Sequence, residues 1–211
     1  MPSSRRGAPP VLIAIVGGSG SGKTWLAKKL ERALAPDAMR LCLDSFYHDR
    51  SHLPPTRRAR INFDQPGAID WALAEAAVRS LMKGGVARIP SYDFKTHSRF
   101  KATQLLQPKR FIILDGLWLL RRRALRPFFR WRIYVDCPMR VRLQRRLDRD
   151  TRLRGRSKES VKRQFRQMVQ PMHRRYVAPQ ARWADLVLPG DCRPRDVDRL
   201  VARIRAGVCP N

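Results

Sequence analysis

The sequence predicts an α/β domain of three layers, with a mostly parallel central sheet covered by helices on both faces. Three observations predict it. Short apolar segments alternate along the chain with segments of helical periodicity. The first apolar segment, VLIAIV, is apolar at every position, as a parallel strand buried on both faces is. Three of the strand-like segments end in an aspartate, Asp44, Asp115 and Asp136, at the carboxyl edge where such sheets bind ligands. A chain of 211 residues with 43% apolar content has material for one such domain.

Taken in order, residues 1–10 (MPSSRRGAPP) read as a flexible tail and 11–211 as a single domain. VLIAIV is the first strand, and a glycine-rich turn follows it directly. Trp25 to Leu34 reads as a helix, with Leu26, Leu30 and Leu34 at helical spacing and Pro36 beyond its end. MRLCLDSFY supplies a short strand ending in Asp44. The stretch from Asp49 to Pro66, rich in Pro, Arg and Asn, reads as loop. Ile69 to Met82 is an Ala-rich helix closed by Gly84-Gly85. Val86 to Pro90 and Arg110 to Leu114 read as strands bracketing an irregular polar insertion, about 90–109. WRIYVD is another strand. Met139 to Leu153 and Lys158 to Tyr176 read as two long basic helices separated by RGRS, before a final strand (Ala184 to Pro189) and helix (Asp196 to Ala206). No internal repeat is present.

Lys and Arg number 45 against 17 acidic residues, a formal charge of +28, which suits polyanionic partners without choosing among them. The basic residues are spread along the chain rather than gathered into arms, which makes nucleic acid a weak expectation. Cys42, Cys137, Cys192 and Cys209 form no C-x-x-C pair or zinc spacing and read as free thiols of a reducing cytoplasm. Val11 to Val16 is too short for a signal core or a membrane span, so no membrane association is expected.

The segment GGSGSGKT, Gly17, Gly18, Ser19, Gly20, Ser21, Gly22, Lys23 and Thr24, satisfies G-x-x-x-x-G-K-[ST] between a predicted strand and a predicted helix, the context a phosphate-binding P-loop requires. Glycines let successive amide N–H groups point inward, and the helix dipole adds positive potential for phosphates. Lys23 then reaches the β and γ phosphates, and the Thr24 hydroxyl is offered to Mg²⁺. Asp115, after FIIL, has the Walker B form and is a second metal candidate. Asp44, beside the P-loop, is placed to orient an attacking hydroxyl, accept its proton and contact Mg²⁺. Asp136 reads as a turn residue or N-cap and is left outside the site.

Arg142, Arg146 and Arg149 fall at steps of four and three, on one helix face that could meet phosphates. The RLRGR segment after them, with Gly155 permitting a turn that carries Arg154 and Arg156, reads as a lid over about 149–158 that excludes water and neutralises developing charge. In the next helix Val161, Phe165, Met168 and Met172 recur as a packing stripe, with Gln164 at its edge.

GGSGSGKT, LDSFY, NFDQPGAID, YDFKTHSR, ILDG, RDTRLRGR and WADLVLP occur in the order found in the uridine kinase (uridine–cytidine kinase) family, which the chain resembles from the P-loop to about Pro189. The resemblance implies a P-loop NTPase fold and transfer of phosphate from ATP (or GTP), with Mg²⁺, to the 5′-hydroxyl of uridine or cytidine. It implies Asp44 as base, with Lys23, Arg149 and Arg154 at the transferring phosphate. Asp64 is then expected at the ribose hydroxyls, Tyr92 packed on the base, His97 at the pyrimidine edge, and Arg156 and Gln164 completing the nucleoside contacts; Arg146, on the arginine face read above, is a further substrate-binding candidate. A homotetramer is also implied. The chain departs from the family pattern at Asp115 (usually Glu), at Gln65 and Gly67 (usually His and Asp), and at Ser157 (usually acidic). Two other readings compete: a P-loop kinase for another small alcohol such as a sugar phosphate or pantothenate, and a nucleic-acid-binding P-loop protein with weak catalysis.

Overall fold

The computed structural model describes residues 9–58 and 60–207; most of the expected tail and Cys209 lie outside them. Five parallel strands form the central sheet: β1 (Val11–Gly17), β2 (Ala38–Cys42), β5 (Phe111–Gly116), β6 (Phe129–Asp136) and β7 (Leu186–Pro189), in the order β2-β5-β1-β6-β7. The two central strands are continuous apolar runs because both of their faces are covered. Along β1, Ile13 and Ile15 join one apolar cluster, and Leu12, Ala14 and Val16 join the other, as strand alternation requires. On the first side lie α1 (Lys23–Ala33) and the C-terminal helix, packed through Leu26, Leu30, Leu200 and Ile204. On the other side lies α3 (Trp71–Met82), packed through Val78 and Leu81, with Trp118 fully buried beside it.

The loop after β2 holds a one-turn helix, α2 (Pro55–Arg58), before α3 begins with Asp70 as its N-cap, whose carboxylate accepts from Leu73 N at 3.1 Å. The region around the polar insertion departs from the expectation. The segment from Ala87 does not enter the central sheet. It forms β3 (Ala87–Asp93), which pairs antiparallel with β4 (Ser98–Leu106) in a separate two-stranded hairpin. The polar, exposed face of β4 hid the strand: six of its nine residues, Phe100 to Leu105, are exposed, so no buried alternation marks it.

α4 (Met139–Arg154) follows β6 and ends at Gly155, whose φ of +64° closes the helix in the left-handed region. Its N-cap position is Pro138, so Asp136 is an exposed strand-end residue and not a cap. α5 (Lys158–Gln164) starts at Ser157, whose hydroxyl accepts from Ser160 N at 3.2 Å. The expected single helix to Tyr176 is interrupted. Two π-helical turns, Phe165–Val169 and His173–Val177, flank the short α6 (Gln170–Met172), which contains Pro171, and a 3₁₀ segment (Ala178–Trp183) leads to β7. The wider turns shift the buried stripe to Val161, Phe165, Val169 and Val177, leaving Met168 and Met172 half-buried. α7 (Pro194–Arg205) follows β7. Among the described residues no helix is long and apolar enough to cross a membrane.

Candidate active site

The P-loop leaves the carboxyl end of β1 and runs into the first turn of α1. Gly20 and Gly22 have φ of +80° and +102°, and a Cβ on Gly20 would sit 2.4 Å from the Arg142 carbonyl oxygen. Both positions therefore require glycine. Arg142 is buried behind the loop, donating Nε to the Cys137 carbonyl at 3.1 Å and an η nitrogen to Gln170 at 2.9 Å. It supports the loop from outside the cleft, so the expected arginine face divides: Arg142 packs beneath and Arg146 reaches inward. The inward face of α4 is polar, with Arg142, Arg146 and Asp150 at i, i+4 and i+8.

One cleft is lined by Ser19, Lys23, Thr24, Asp44, Asp64, Tyr92, His97, Arg146, Arg149, Arg154, Arg156 and Gln164, together with Tyr47, Phe63, Phe94 and Leu117. The structure thus brings together residues predicted from five separate parts of the chain. Asp115 lies just beneath, fully buried at the end of β5, where its carboxylate accepts from Thr24 Oγ1 at 2.8 Å and from an Arg40 η nitrogen at 2.9 Å. Burial works against the charge on Arg40, but Asp115 outweighs it and holds the guanidinium above its ordinary pKa. Asp44 is the second residue of a 3₁₀ turn (Leu43–Phe46) after β2, and its Oδ1 is enclosed with no hydrogen-bond partner. Burial pushes its carboxyl upward, Lys23 and Arg149 pull it down, and Asp115 and Asp64 push it up, leaving it above the usual carboxylate range.

At the far end of the cleft the rings form a wall. Tyr47 meets Phe63 and Tyr92 with centroids 5.4 and 5.3 Å apart, and Phe63 stacks on His97 at 4.5 Å with an interplanar angle of 13°. His97 sits at the hairpin turn with φ +55°. Burial, then Arg154 and Arg156, lower its pKa, so the ring is neutral at pH 7. The Tyr92 hydroxyl is buried without a partner, and burial pushes it up to about 12. Gln164 accepts at its Oε1 from Arg146 at 2.8 Å and Arg156 at 2.6 Å, which leaves its amide NH₂ as the donor it can offer to a ligand.

Sequence reasoning missed the buried carboxylate on which four arginines of this region converge. Asp150, wholly buried, has Arg149 at 2.8 Å, Arg146 at 3.4 Å, Arg154 at 3.5 Å and Arg156 at 3.8 Å. Burial opposes its ionisation, but the Arg149 hydrogen bond and the charges of Arg149, Arg146 and Arg154 outweigh that and hold its carboxyl below the usual range. The i, i+4 spacing of Arg146, Asp150 and Arg154 was the available signal. Arg40 and Phe63 were also missed; nothing local in the sequence marks Arg40, whereas Phe63 lies within NFDQPGAID beside the predicted Asp64. Gln65 and Gly67, by contrast, are exposed and do not line the cleft.

The enclosed cleft has a volume of about 100 Å³ and adjoins a second of about 490 Å³ that shares His97, Arg154, Arg156 and Gln164. Sites for small organic ligands run to roughly 300–1,000 Å³, so the inner cleft alone is smaller than such a site and the adjoining one falls within that range. The Thr24 hydroxyl and the Asp44 carboxylate line the cleft as oxygen donors of the kind that could hold Mg²⁺, and Asp44 Oδ1 has no hydrogen-bond partner, whereas the Asp115 carboxylate is taken up by Thr24 and Arg40.

The chain matches the model of the Phosphoribulokinase / Uridine kinase family over residues 12–195. It is 42% identical over 181 residues to the uridine kinase of Brevibacillus brevis, covering 85% of each chain. It is 39% identical over 201 residues to that of Chloroflexus aggregans, covering 94% of this chain and 96% of the other. Among solved structures it shares its fold with phosphoribulokinase from Rhodobacter spheroides, at a TM-score of 0.64 and 17% identity, over 86% of this chain and 70% of that one.

Proposed function

The chain belongs to the phosphoribulokinase and uridine kinase family, and from that premise we propose that it phosphorylates the 5′-hydroxyl of uridine or cytidine, with ATP as donor and Mg²⁺ as cofactor. The observation that carries this reading is the single cleft joining Lys23 and Thr24 of the P-loop to Asp44 and then to Asp64, Tyr92, His97 and Gln164. One end suits a triphosphate and the other a flat ring with an amide-like edge and a diol.

The P-loop amides and Lys23 bind and orient the donor's phosphates. Thr24 and Asp44 would hold Mg²⁺, with Asp115 fixing the Thr24 hydroxyl from below; when bound, the ion neutralises charge on the transferring group. Asp44 aligns the nucleoside hydroxyl and takes its proton; its raised pKa makes it a better acceptor than an exposed carboxylate. Asp64 accepts from the ribose hydroxyls, and the Gln164 amide and neutral His97 meet the pyrimidine edge. Arg149 and Arg154 approach the phosphoryl group as the lid closes and excludes water. A cytoplasmic setting fits the thiols of Cys42, Cys137 and Cys192, all free.

Incubation with uridine, ATP and Mg²⁺, followed by ³¹P NMR, should give one new phosphomonoester coupled to the 5′ protons. A phosphate on another ribose carbon, or ATP consumption with no nucleotide formed, would contradict the assignment.

A further inference from the structure

Away from the P-loop, a cleft of about 1040 Å³ opens beside the start of β6 and the approach to β7, lined by Arg121, Arg122, Arg123, Arg126, Arg132 and Arg182, with Trp183 among them. The P-loop leaves the carboxyl end of β1, next to the carboxyl end of β6, whereas this cleft begins at Arg121 to Pro127, just before the amino end of β6. The two sites therefore occupy opposite edges of the sheet. No residue lining the catalytic cleft lines this one.

The charge here is not internally balanced. Among the described residues, carboxylates pair with Arg122, through Glu75, and with Arg132, through Asp185, whereas Arg121, Arg123, Arg126 and Arg182 have no carboxylate within salt-bridge distance. Arg126 Nε is buried without a hydrogen-bond partner. The arginines also present flat surfaces. Arg126 and Arg182 lie 4.5 and 4.4 Å from the Trp183 ring centroid, and Arg121 lies 4.9 Å from that of Tyr176. Guanidinium and indole planes are the surfaces on which unstacked bases rest, and clustered guanidiniums track a phosphate chain. The large exposed apolar side chains, such as Trp25, Phe100 and Leu153, lie elsewhere, so the patch lacks the insertion residues of a membrane surface.

We propose that this arginine cleft binds single-stranded nucleic acid, through phosphate contacts from Arg123, Arg126 and Arg182 and base stacking at the Arg126–Trp183–Arg182 layer. Binding there is separate from catalysis and gives part of the +28 charge a role that the phosphate-binding loop does not need.

The test is fluorescence anisotropy of a labelled oligouridylate between 50 and 200 mM KCl, with wild type, the variant R123A/R126A/R182A, and a control, K28A/R195A/R199A, that removes equal charge from exposed positions elsewhere. The cleft variant should lose roughly tenfold or more in affinity, and its log–log salt slope should fall by about 2, the loss of three single-strand phosphate contacts. Its uridine turnover should stay at the wild-type level, and saturating ATP should leave oligonucleotide binding unchanged in the wild type. Equal losses in the control would overturn the proposal by showing charge without a site. Displacement of the oligonucleotide by ATP would place its binding in the catalytic cleft. Retention of anionic vesicles but not of the oligonucleotide would assign the patch to lipid.

Discussion

Replacing Asp150 by Asn keeps the shape of the side chain and removes its charge from among four guanidiniums. The Asp150 side chain is 0% exposed and that of Arg146 is 6% exposed, whereas those of Arg149, Arg154 and Arg156 are 38, 25 and 28% exposed. Breaking a buried pair by removing one partner costs about 3–5 kcal/mol, and each partly exposed pair adds at most ~1 kcal/mol because solvent screens it. The buried pair alone gives a loss of about 4 kcal/mol, and for a domain of this size that lowers Tm by about 8–16 °C. Thermal unfolding followed by circular dichroism at pH 7 measures it directly. The pH dependence provides a second check. The folded Asp150 carboxyl titrates below its unfolded value of 3.8, so its contribution is present above that pH and is lost as pH falls through the folded pKa. The difference between wild type and D150N should therefore shrink on acidification. A Tm change under ~3 °C, or a difference that grows toward low pH, would refute the hub.

Three further outcomes are expected. Arg40→Leu leaves the buried Asp115 carboxylate held by Thr24 alone, so urea unfolding should show a loss of about 3 kcal/mol, most of it regained in R40L/D115N; a double variant no more stable than R40L would remove this pairing from the account. Asp44→Asn should leave ATP binding by calorimetry within about twofold while turnover falls by at least ~10²-fold; wild-type turnover would exclude Asp44 as the base. For His97 the direction of the shift sets the sign: its pKa lies below the ordinary 6.5, so the neutral ring persists and uridine KM should stay level from pH 8 down to 6.5, worsening only at lower pH. A KM that already rises above pH 6.5 would mean the ring is charged where neutrality is claimed.

How much was legible depended on how locally each residue's role is encoded. The P-loop could be read from eight consecutive residues because its geometry is a property of the loop itself, from the glycines at 20 and 22 to the helix that starts at Lys23. The parallel sheet could be read because β1 and β5 are buried on both faces and carry no alternation. Asp150 was only partly legible as a hub: its i, i+4 spacing to Arg146 and Arg154 is local, but Arg156 joins it only after the turn at Gly155. Arg40 was hidden for a different reason: its partner Asp115 is 75 residues away on an adjacent strand. The hairpin was missed because β4 exposes most of its residues, so the hydrophobic pattern that marks a strand is absent. Tyr92 and His97 were placed in the site by resemblance alone; the stack of His97 on Phe63 is a tertiary fact no spacing encodes.

The central claim concerns the acceptor, and the direct measurement is ADP release from the purified protein with ATP and Mg²⁺ over a panel of uridine, cytidine, adenosine, ribulose 5-phosphate and pantothenate. The cleft of Asp64, Tyr92, His97 and Gln164 predicts the highest kcat/KM for uridine or cytidine. Turnover of ribulose 5-phosphate or pantothenate in the absence of turnover with either pyrimidine nucleoside would contradict it.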